Sequence, residues 1–246
     1  MEIIKLWDTS KDYRILVANE ARENYLNLIQ TASFRGNWNK KMAIDTAKTM
    51  NSDFQSLLYS YLEGDELPNS PDVASLVEKA EKIIEYLGGP NWNKMFLDGA
   101  PKDERNKTIA NIAKVRFFLD SILGLKERLA LGPIADPIIG IDIKVGEVMS
   151  VMKHPDADSL MICNVNLGSR AITVVTNDIN VKEENRVGVS LLPPQIFMDI
   201  TSEGMFLGMG GAILKEVDGE LGQMPKGIPM ESLNETRNLV ENYLKK

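Results

Sequence analysis

The sequence predicts an α+β protein with two domains, a helical bundle followed by a small β-barrel and a terminal helix. Apolar residues repeat every three or four positions up to about residue 130 and every second position from residue 138. Between them, Gly132-Pro133-Ile134-Ala135-Asp136-Pro137 has the glycine and prolines typical of a linker. We therefore expect a helical domain at residues 1–132, a linker at 133–137 and a barrel domain at 138–246.

Four apolar stripes predict the helices of the first domain. They run over about residues 18–29, 43–61, 73–87 and 112–125, and each needs a partner face, as in a bundle. Ser70-Pro71 is typical of a helix start, and Gly88-Gly89-Pro90 of a helix end. For residues 1–10 the alternatives are a short strand and a packing arm.

The segment Asn-Trp-Asn-Lys occurs twice, at residues 37–40 and 91–94, each time after a glycine or proline break. We interpret it as a helix start with an asparagine cap and a tryptophan in the core. A duplicated hairpin and a functional motif are the alternatives.

Short alternating runs predict the strands of the second domain. Five or six strands within about 80 residues are typical of a small Greek-key barrel. The first candidate run begins with Ile139 to Val145 and continues to Met152, and the others are Met161–Leu167, Ala171–Thr176, Arg186–Leu192, Met205–Gly208 and Ile213–Val217. We read Gly208-Met209-Gly210-Gly211 as a turn, and residues 231–244 as a closing amphipathic helix.

Charge and cysteine content limit the partners and the compartment. The net charge is −7, and residues 137–246 carry 10 Lys and Arg against 15 Asp and Glu, which argues against tight non-specific RNA binding. The single cysteine, Cys163, fits a reducing compartment and a buried structural thiol. The sequence shows no secretory signal and no long apolar window, so we expect a cytoplasmic protein without a membrane partner.

Catalysis is not expected, because the residues that usually perform it are missing from the sequence. His154 is the one histidine, and the sequence has no phosphate-binding loop of the Gly-x-x-x-x-Gly-Lys type. Asp156 and Asp158 are too few for a calcium site. We expect no enzyme activity, no metal and no cofactor.

Several motifs of the second domain occur in one order. Lys144-Val145-Gly146-Glu147-Val148 is followed by Lys153-His154-Pro155 with Ala157-Asp158 and Leu160, then by Val187-Gly188-Val189 and Ser202-Glu203-Gly204-Met205. This ordered set, over about residues 138–228, resembles the tRNA-binding OB-fold domain family. That domain stands alone as a tRNA-binding protein, or is appended to methionyl-tRNA synthetase, to the phenylalanyl-tRNA synthetase β subunit and to EMAP-like synthetase cofactors.

The resemblance implies that tRNA is held on the open face of the barrel and is recognised by its shape. Carried over by position, it nominates Lys153, Ser202 and Met205 as tRNA contacts. Lys144, Asn177 and Arg186 are added from their placement alone. Two departures from the family pattern, Asp156 and Ser159, remove favourable potential for phosphate.

We therefore expect a non-catalytic accessory protein of translation that binds tRNA and docks an aminoacyl-tRNA synthetase through its helical domain. The alternative is a protein–protein scaffold whose barrel has lost RNA binding. No DNA partner is expected. A homodimer is predicted, unless the terminal helix folds back over the same barrel.

Overall fold

The structure, a computed structural model, describes residues 7–60, 62 and 64–245 of the chain. Contacts divide the chain into two compact units, Met1–Gly140 and Ile141–Lys246. The first unit is helical, and the second is an antiparallel β unit that ends in a helix, which confirms the α+β class. Most of the segment expected to be a strand or arm lies outside the described residues, but Thr9–Lys11 forms a 3-10 turn.

Each of the four apolar stripes forms a long helix. These are α1 (Tyr13–Thr31), α2 (Lys40–Leu58), α3 (Pro71–Leu87) and α5 (Arg105–Leu123). The structure adds α4 (Trp92–Asp98) and α6 (Leu125–Leu129), which have too few turns to show an apolar period. Tyr61, counted with the second stripe, lies outside the described residues.

The predicted boundaries of α3 are confirmed by its caps. The side chain of Ser70 accepts a hydrogen bond from the backbone N–H of Val73 at 3.3 Å, and Pro71 takes the first helical position. Gly88 ends the helix in the left-handed region, with φ 116°. These are local signals, and the sequence predicts them without knowledge of the packing.

The two Asn-Trp-Asn-Lys segments place their tryptophans against one phenylalanine. Trp38 and Trp92 both meet Phe96 edge-on, with ring centroids 5.4 and 5.8 Å away. In the first copy Asn39 caps α2, since its side chain accepts from the N–H of Met42 at 3.1 Å. Asn91 precedes α4 without such a bond. The interpretation as capped helix starts with core tryptophans therefore holds in part. Asn39 supplies a cap and Asn91 does not, and Trp92 is buried whereas Trp38 is half-buried against the core.

A buried ion pair connects the start of α1 with the end of the helical unit. The side chains of Arg14 and Asp12 are 0% and 1% exposed, and Arg14 Nη2 lies 2.6 Å from Asp12 Oδ2. The guanidinium also donates to the backbone carbonyls of Arg128 and Gly132, at the end of α6, where carbonyls lack partners within the helix. Trp7 Nε1 donates to the same carboxylate at 2.9 Å. Every group of this buried pair is therefore satisfied within the helical unit.

The second unit begins later than the alternating isoleucines predict. Pro137–Gly140 forms a 3-10 turn that packs against α1, and the side chain of Asp136 accepts from the N–H of Ile138 at 3.1 Å. Residues 133–140 therefore belong with the helical unit. Strand β1 begins at Ile143. An alternating run as short as this one is also compatible with a turn. Here the segment begins with Asp136-Pro137, and this pair of residues favours a turn.

The second unit is built around one antiparallel sheet. Within the described residues it has five strands in the order β3-β2-β1-β4-β7. The strands are β1 (Ile143–His154), β2 (Ala157–Asn166), β3 (Ala171–Thr176), β4 (Arg186–Ser190) and β7 (Met205–Phe206). Two hairpins accompany it: β5 (Gln195–Phe197) with β6 (Ile200–Ser202), and β8 (Gly208–Met209) with β9 (Ala212–Ile213).

The sequence misses the β5–β6 hairpin and extends the last predicted run too far. The three-residue strands β5 and β6 are too short to show a clear alternation. Beyond Ile213 the predicted strand is replaced by an irregular segment, in which Glu216 forms an isolated bridge with Arg186. The Gly-rich segment is a turn, as predicted, because Gly210 and Gly211 join β8 to β9 with positive φ angles of 63° and 85°.

The edges of the sheet are joined through the segment between β6 and β7. The N–H of Glu203 donates to the carbonyl of Thr173 at 2.9 Å, and the N–H of Val175 donates to Ser202 Oγ at 3.0 Å. Both partners lie on β3, so this edge strand is covered by the chain that leads into the other edge strand, β7. The sheet thereby wraps around an apolar core.

Cys163 lies in that core and is fully buried. Burial, with a further contribution from the carboxylate of Asp178, raises the pKa of its thiol to about 11. The thiol is therefore protonated at neutral pH and shielded from reagents, as expected of a structural cysteine.

The terminal helix α7 (Asn234–Leu244) packs on the sheet of its own unit. Thr236 and Val240 are buried, and the hydroxyl of Thr236 bonds to that of Ser190 on β4 at 2.8 Å. The helix therefore folds back over its own unit. This was the stated alternative to a homodimer, because it leaves less apolar surface for a second copy of the chain. Among all the helices of the described residues, none has the length and apolar character needed to span a membrane.

Candidate nucleic-acid interface

A groove of about 520 Å³ opens on the second unit. Its walls come from the end of β3, from residues 192–206, from the β8–β9 hairpin and from α7. Phe197, Met205 and Leu239 supply apolar surface, while Asn177 and Glu235 supply polar side chains. A concave site with apolar walls and a few polar groups is the usual form of a ligand site.

The motif at residues 153–160 forms a tighter connection than its sequence suggests. Lys153 and His154 still belong to β1, and β2 begins at Ala157, so only Pro155 and Asp156 form the turn. His154 is buried, and its Nδ1 accepts from the N–H of Asp156 at 3.1 Å. Its Nε2 must then carry the proton, which it donates to the carbonyl of Phe197 at 3.0 Å. His154 thus fixes a residue of the groove wall to the hairpin.

Ser202 positions the loop that follows it. It is buried, and its hydroxyl accepts from the N–H of Val175 and donates to the carbonyl of Gly204 at 2.9 Å. The single hydroxyl proton is therefore used within the protein, while Ser202 stays a predicted tRNA contact. Gly204 is needed for close approach, since a Cβ there would lie 2.5 Å from the carbonyl oxygen of Ser190.

Met205 lines the groove as a half-buried side chain. It lies on β7 opposite Ser190 of β4, directly after the Ser202–Gly204 loop. The thioether offers a soft, polarisable surface on which a base or ribose can pack. Asn177, which follows β3, is exposed in the same groove. The structure therefore brings together Asn177, Ser202 and Met205 from among the predicted residues.

Lys153 lies outside the groove but in one cross-strand row with it. Lys153 on β1 pairs with Met161 on β2, which pairs with Thr176 on β3, a residue of the groove wall. Residues directly opposite in antiparallel strands share a face, and neighbouring strands lie about 4.8 Å apart. The exposed amine of Lys153 is therefore within reach of a polyanion that covers the groove.

Lys144 and Arg186 occupy less direct positions. Lys144 is half-buried on β1, opposite Val189, which pairs with Phe206 of the groove wall. Arg186 lies opposite Glu147, and its guanidinium donates to the carbonyl of Gly219. Part of its hydrogen-bonding capacity is therefore used within the second unit.

The sequence did not single out several groove residues. Glu235 and Leu239 are four positions apart on α7 and share the helix face that borders the groove, while Thr236 and Val240 face the sheet. The helical period predicts that Glu235 and Leu239 share one side of α7, but no local signal predicts that this side borders the groove. Phe197 lies on the unpredicted β5–β6 hairpin.

A buried carboxylate holds the β8–β9 hairpin in place. Asp178 is 6% exposed and accepts from the N–H groups of Asn180 at 2.8 Å and Ile213 at 3.1 Å, and Lys215 Nζ lies 3.2 Å from its Oδ2. Desolvation raises the pKa of Asp178, but these hydrogen bonds and the nearby ammonium outweigh it and leave the pKa below its ordinary value. Because Ile213 lines the groove, Asp178 positions that wall.

Replacing Asp178 by asparagine should destabilise the second unit by about 1–3 kcal/mol at pH 7, because the amide has one oxygen and leaves a buried N–H unpaired. The carboxylate contributes stability above its unfolded pKa of about 3.9, and this contribution is lost as pH falls through the lower folded pKa. Urea unfolding at several pH values, followed by exposure of the Cys163 thiol, measures both effects.

The exposed Asp158 provides a matched control, because Asp158→Asn makes the same chemical change on the surface of β2. It should leave the unfolding midpoint unchanged. Equal midpoints for Asp178→Asn and the wild type at pH 7, or a gap between them that widens in acid, would contradict the role given to Asp178.

Within the described residues, no three His, Cys, Asp or Glu side chains come together in a group that could hold a metal ion.

Two family models match the chain. The one described as an alpha helical domain covers residues 6–132, more than half of the chain. The one described as a putative tRNA binding domain covers residues 143–231, which include the groove residues up to Ile213. The two matches fall within the two compact units.

Similar proteins include three aminoacyl-tRNA ligases. The cytoplasmic tyrosine–tRNA ligase of Xenopus tropicalis is 27% identical over 205 residues, which are 78% of this chain and 35% of the relative. The phenylalanine–tRNA ligase β subunit of Pseudomonas fluorescens is 26% identical over 151 residues, 56% of this chain and 18% of the relative. The methionine–tRNA ligase of Nanoarchaeum equitans is 37% identical over 73 residues, 27% and 9% of the two chains.

This chain thus spans about a third of the length of the Xenopus relative. Among solved structures, the C-terminal domain of Plasmodium vivax p43 is similar at 23% identity and a TM-score of 0.31, over 37% of this chain and 64% of that chain.

Proposed function

We propose that this chain, which belongs to the alpha helical domain family and carries a tRNA binding domain at residues 143–231, is a non-catalytic accessory protein of translation. The match to the second family confirms the resemblance found in the ordered motifs. The observation that carries the proposal is the groove inside this domain, which unites Asn177, Ser202 and Met205.

In this proposal the second unit is an OB-type barrel that reads tRNA by shape. Support comes from the hydrogen bonds of Ser202 and Glu203 to β3, which join the sheet edges. Lys153, and more weakly Lys144 and Arg186, contact phosphates and position the RNA, while the groove receives a base or ribose. The acidic balance of the chain makes the affinity modest and salt-dependent.

An accessory role without catalysis is supported by the state of the sole histidine. His154 is buried, and both ring nitrogens are bonded within the protein, so it is not available as a general base. We propose that the helical unit, which has its own core, docks a synthetase in the cytoplasm. The relatives that are tRNA ligases motivate this partner class.

Retention of bulk tRNA by the full chain tests the proposal. We expect saturable binding that prefers tRNA to a duplex RNA of the same length, and that falls between low and physiological salt. Absence of binding at low salt would overturn it and favour a scaffold whose barrel serves assembly. The predicted homodimer stays a prediction, and light scattering at micromolar concentration tests it against the 27.4 kDa monomer.

A further inference from the structure

The groove is chemically unlike a phosphate site. Of the described residues that line it, none is a lysine or an arginine, and one is a glutamate. A carboxylate accepts hydrogen bonds and repels phosphate oxygens, and the described lining residues offer no cation to offset that repulsion, so the groove disfavours a phosphate group. The predicted contact Lys153 lies in a row with the wall residue Thr176 but does not line the groove.

The volume and walls of the groove can accommodate a nucleobase. Its volume of about 520 Å³ falls within the range of small-molecule sites. Phe197 and Met205 offer surfaces on which an unstacked base can pack. His154 and Asp178 hold two of these walls, through Phe197 and Ile213, so the groove is formed before a ligand arrives.

The polar side chains indicate which base edge the groove reads. Glu235, on α7, can only accept hydrogen bonds, whereas the amides of Asn177 and Gln195 can both donate and accept. Adenine, cytosine and guanine carry an exocyclic amine that donates, but uracil presents a carbonyl at the corresponding position. A carboxylate therefore favours an amino-bearing base over uracil.

We infer that the groove binds one unstacked nucleobase with an exocyclic amino group, which donates to the carboxylate of Glu235 while Asn177 bonds the neighbouring edge. This inference rests on the proposed function and refines it, since phosphate contacts at Lys153 position the tRNA and the groove selects a base. A base in a tRNA loop and a free nucleoside share this chemistry, and the experiment separates them.

Titration of the full chain with cytidine and with uridine tests the inference, because the pair differs in the amine that Glu235 would accept. Methyl NMR of the methionines reports the position of binding: Met205 and Met209 line the groove, and the exposed Met149 and Met224 do not. We expect cytidine to shift the first pair with an affinity about tenfold higher than that of uridine. Adenosine against inosine should repeat the preference.

Glu235→Gln keeps the size of the side chain but lets it donate as well as accept hydrogen bonds, so it should abolish the preference by weakening cytidine binding and strengthening uridine binding. Asn177→Ala, on another wall, should weaken cytidine binding and serves if the first variant is poorly folded. Equal affinities for the two nucleosides, shifts confined to Met149 and Met224, or no shift up to about 10 mM would overturn the inference.

Bulk tRNA is then added to the cytidine complex. Displacement of cytidine supports a tRNA base as the natural occupant, whereas simultaneous binding of both would overturn that assignment. A chain that retains tRNA but binds no nucleoside would refute only the base groove. A chain that binds cytidine but no tRNA would refute the proposed function instead.

Discussion

A chain with Lys153→Glu and Met205→Ala should bind tRNA at least about tenfold more weakly than the wild type. Lys153 stands in one cross-strand row with the groove wall, so its ammonium is placed to meet a phosphate of an RNA that covers the groove. Met205 lines the groove directly, and its truncation removes packing surface from a bound base or ribose. Titration of labelled tRNA in a gel-shift assay measures the loss.

The two single variants separate the two contributions. Lys153→Glu should lower the slope of log affinity against log salt by about one, because one counterion-releasing contact is lost. Met205→Ala should lower the affinity and leave that slope unchanged. Ser202 is left intact in these variants because its hydroxyl holds the loop that carries Met205.

The exposed residues Met224 and Lys226 give a matched control, since Lys226→Glu with Met224→Ala makes the same change in charge and side-chain size away from the groove. This control should bind tRNA nearly as well as the wild type. If both double variants lose affinity equally, net charge alone governs binding, and the assignment of Lys153 and Met205 fails.

Arg14→Met should destabilise the helical unit by about 3–5 kcal/mol, the usual cost of breaking a buried pair from one side. The substitution leaves the buried carboxylate of Asp12 without its cation and removes the donors to the carbonyls of Arg128 and Gly132. All three tryptophans lie in this unit, so urea unfolding followed by tryptophan fluorescence reports its stability separately from that of the sheet.

Two further chains show whether charge or shape carries this effect. Asp12→Asn combined with Arg14→Met removes the uncompensated charge, and should be more stable than Arg14→Met alone. Lys11→Met breaks the exposed ion pair with Asp8 and should not move the unfolding midpoint. A midpoint for Arg14→Met that equals the wild-type value would show that the buried pair does not stabilise the unit.

The long helices and most strands of the main sheet follow from local sequence, because their signals are short-range. The stripe at residues 73–87, with Ser70-Pro71 before it and Gly88 after it, specifies α3 almost residue by residue. The alternation in Ala171–Thr176 specifies β3 in the same way. The sequence does not predict the short elements, because neither α6 nor the β5–β6 hairpin is long enough to complete a recognisable period.

The candidate site was predicted only in part. The ordered motifs predicted Ser202 and Met205, but not that the Ser202 hydroxyl is used by β3 and Gly204. Glu235 was in a predicted helix, yet its place in the groove that Asn177 also lines depends on α7 folding back onto β4 through Thr236. Glu235 and Asn177, like Thr236 and Ser190, are more than 40 residues apart in sequence. The helical period shows which residues share a face of α7, but it does not show which distant segment that face packs against.

Sequence alone predicts the two-part α+β organisation, the long elements and the family of the second unit, because spacing and ordered motifs are properties of neighbouring residues. It is the tertiary fold that places residues 133–140 in the helical unit, buries the pair of Arg14 and Asp12, and lines the groove, among the described residues, with a carboxylate and no cation. These features arise when distant segments exclude water together, and their burial turns ordinary polar residues into specific contacts.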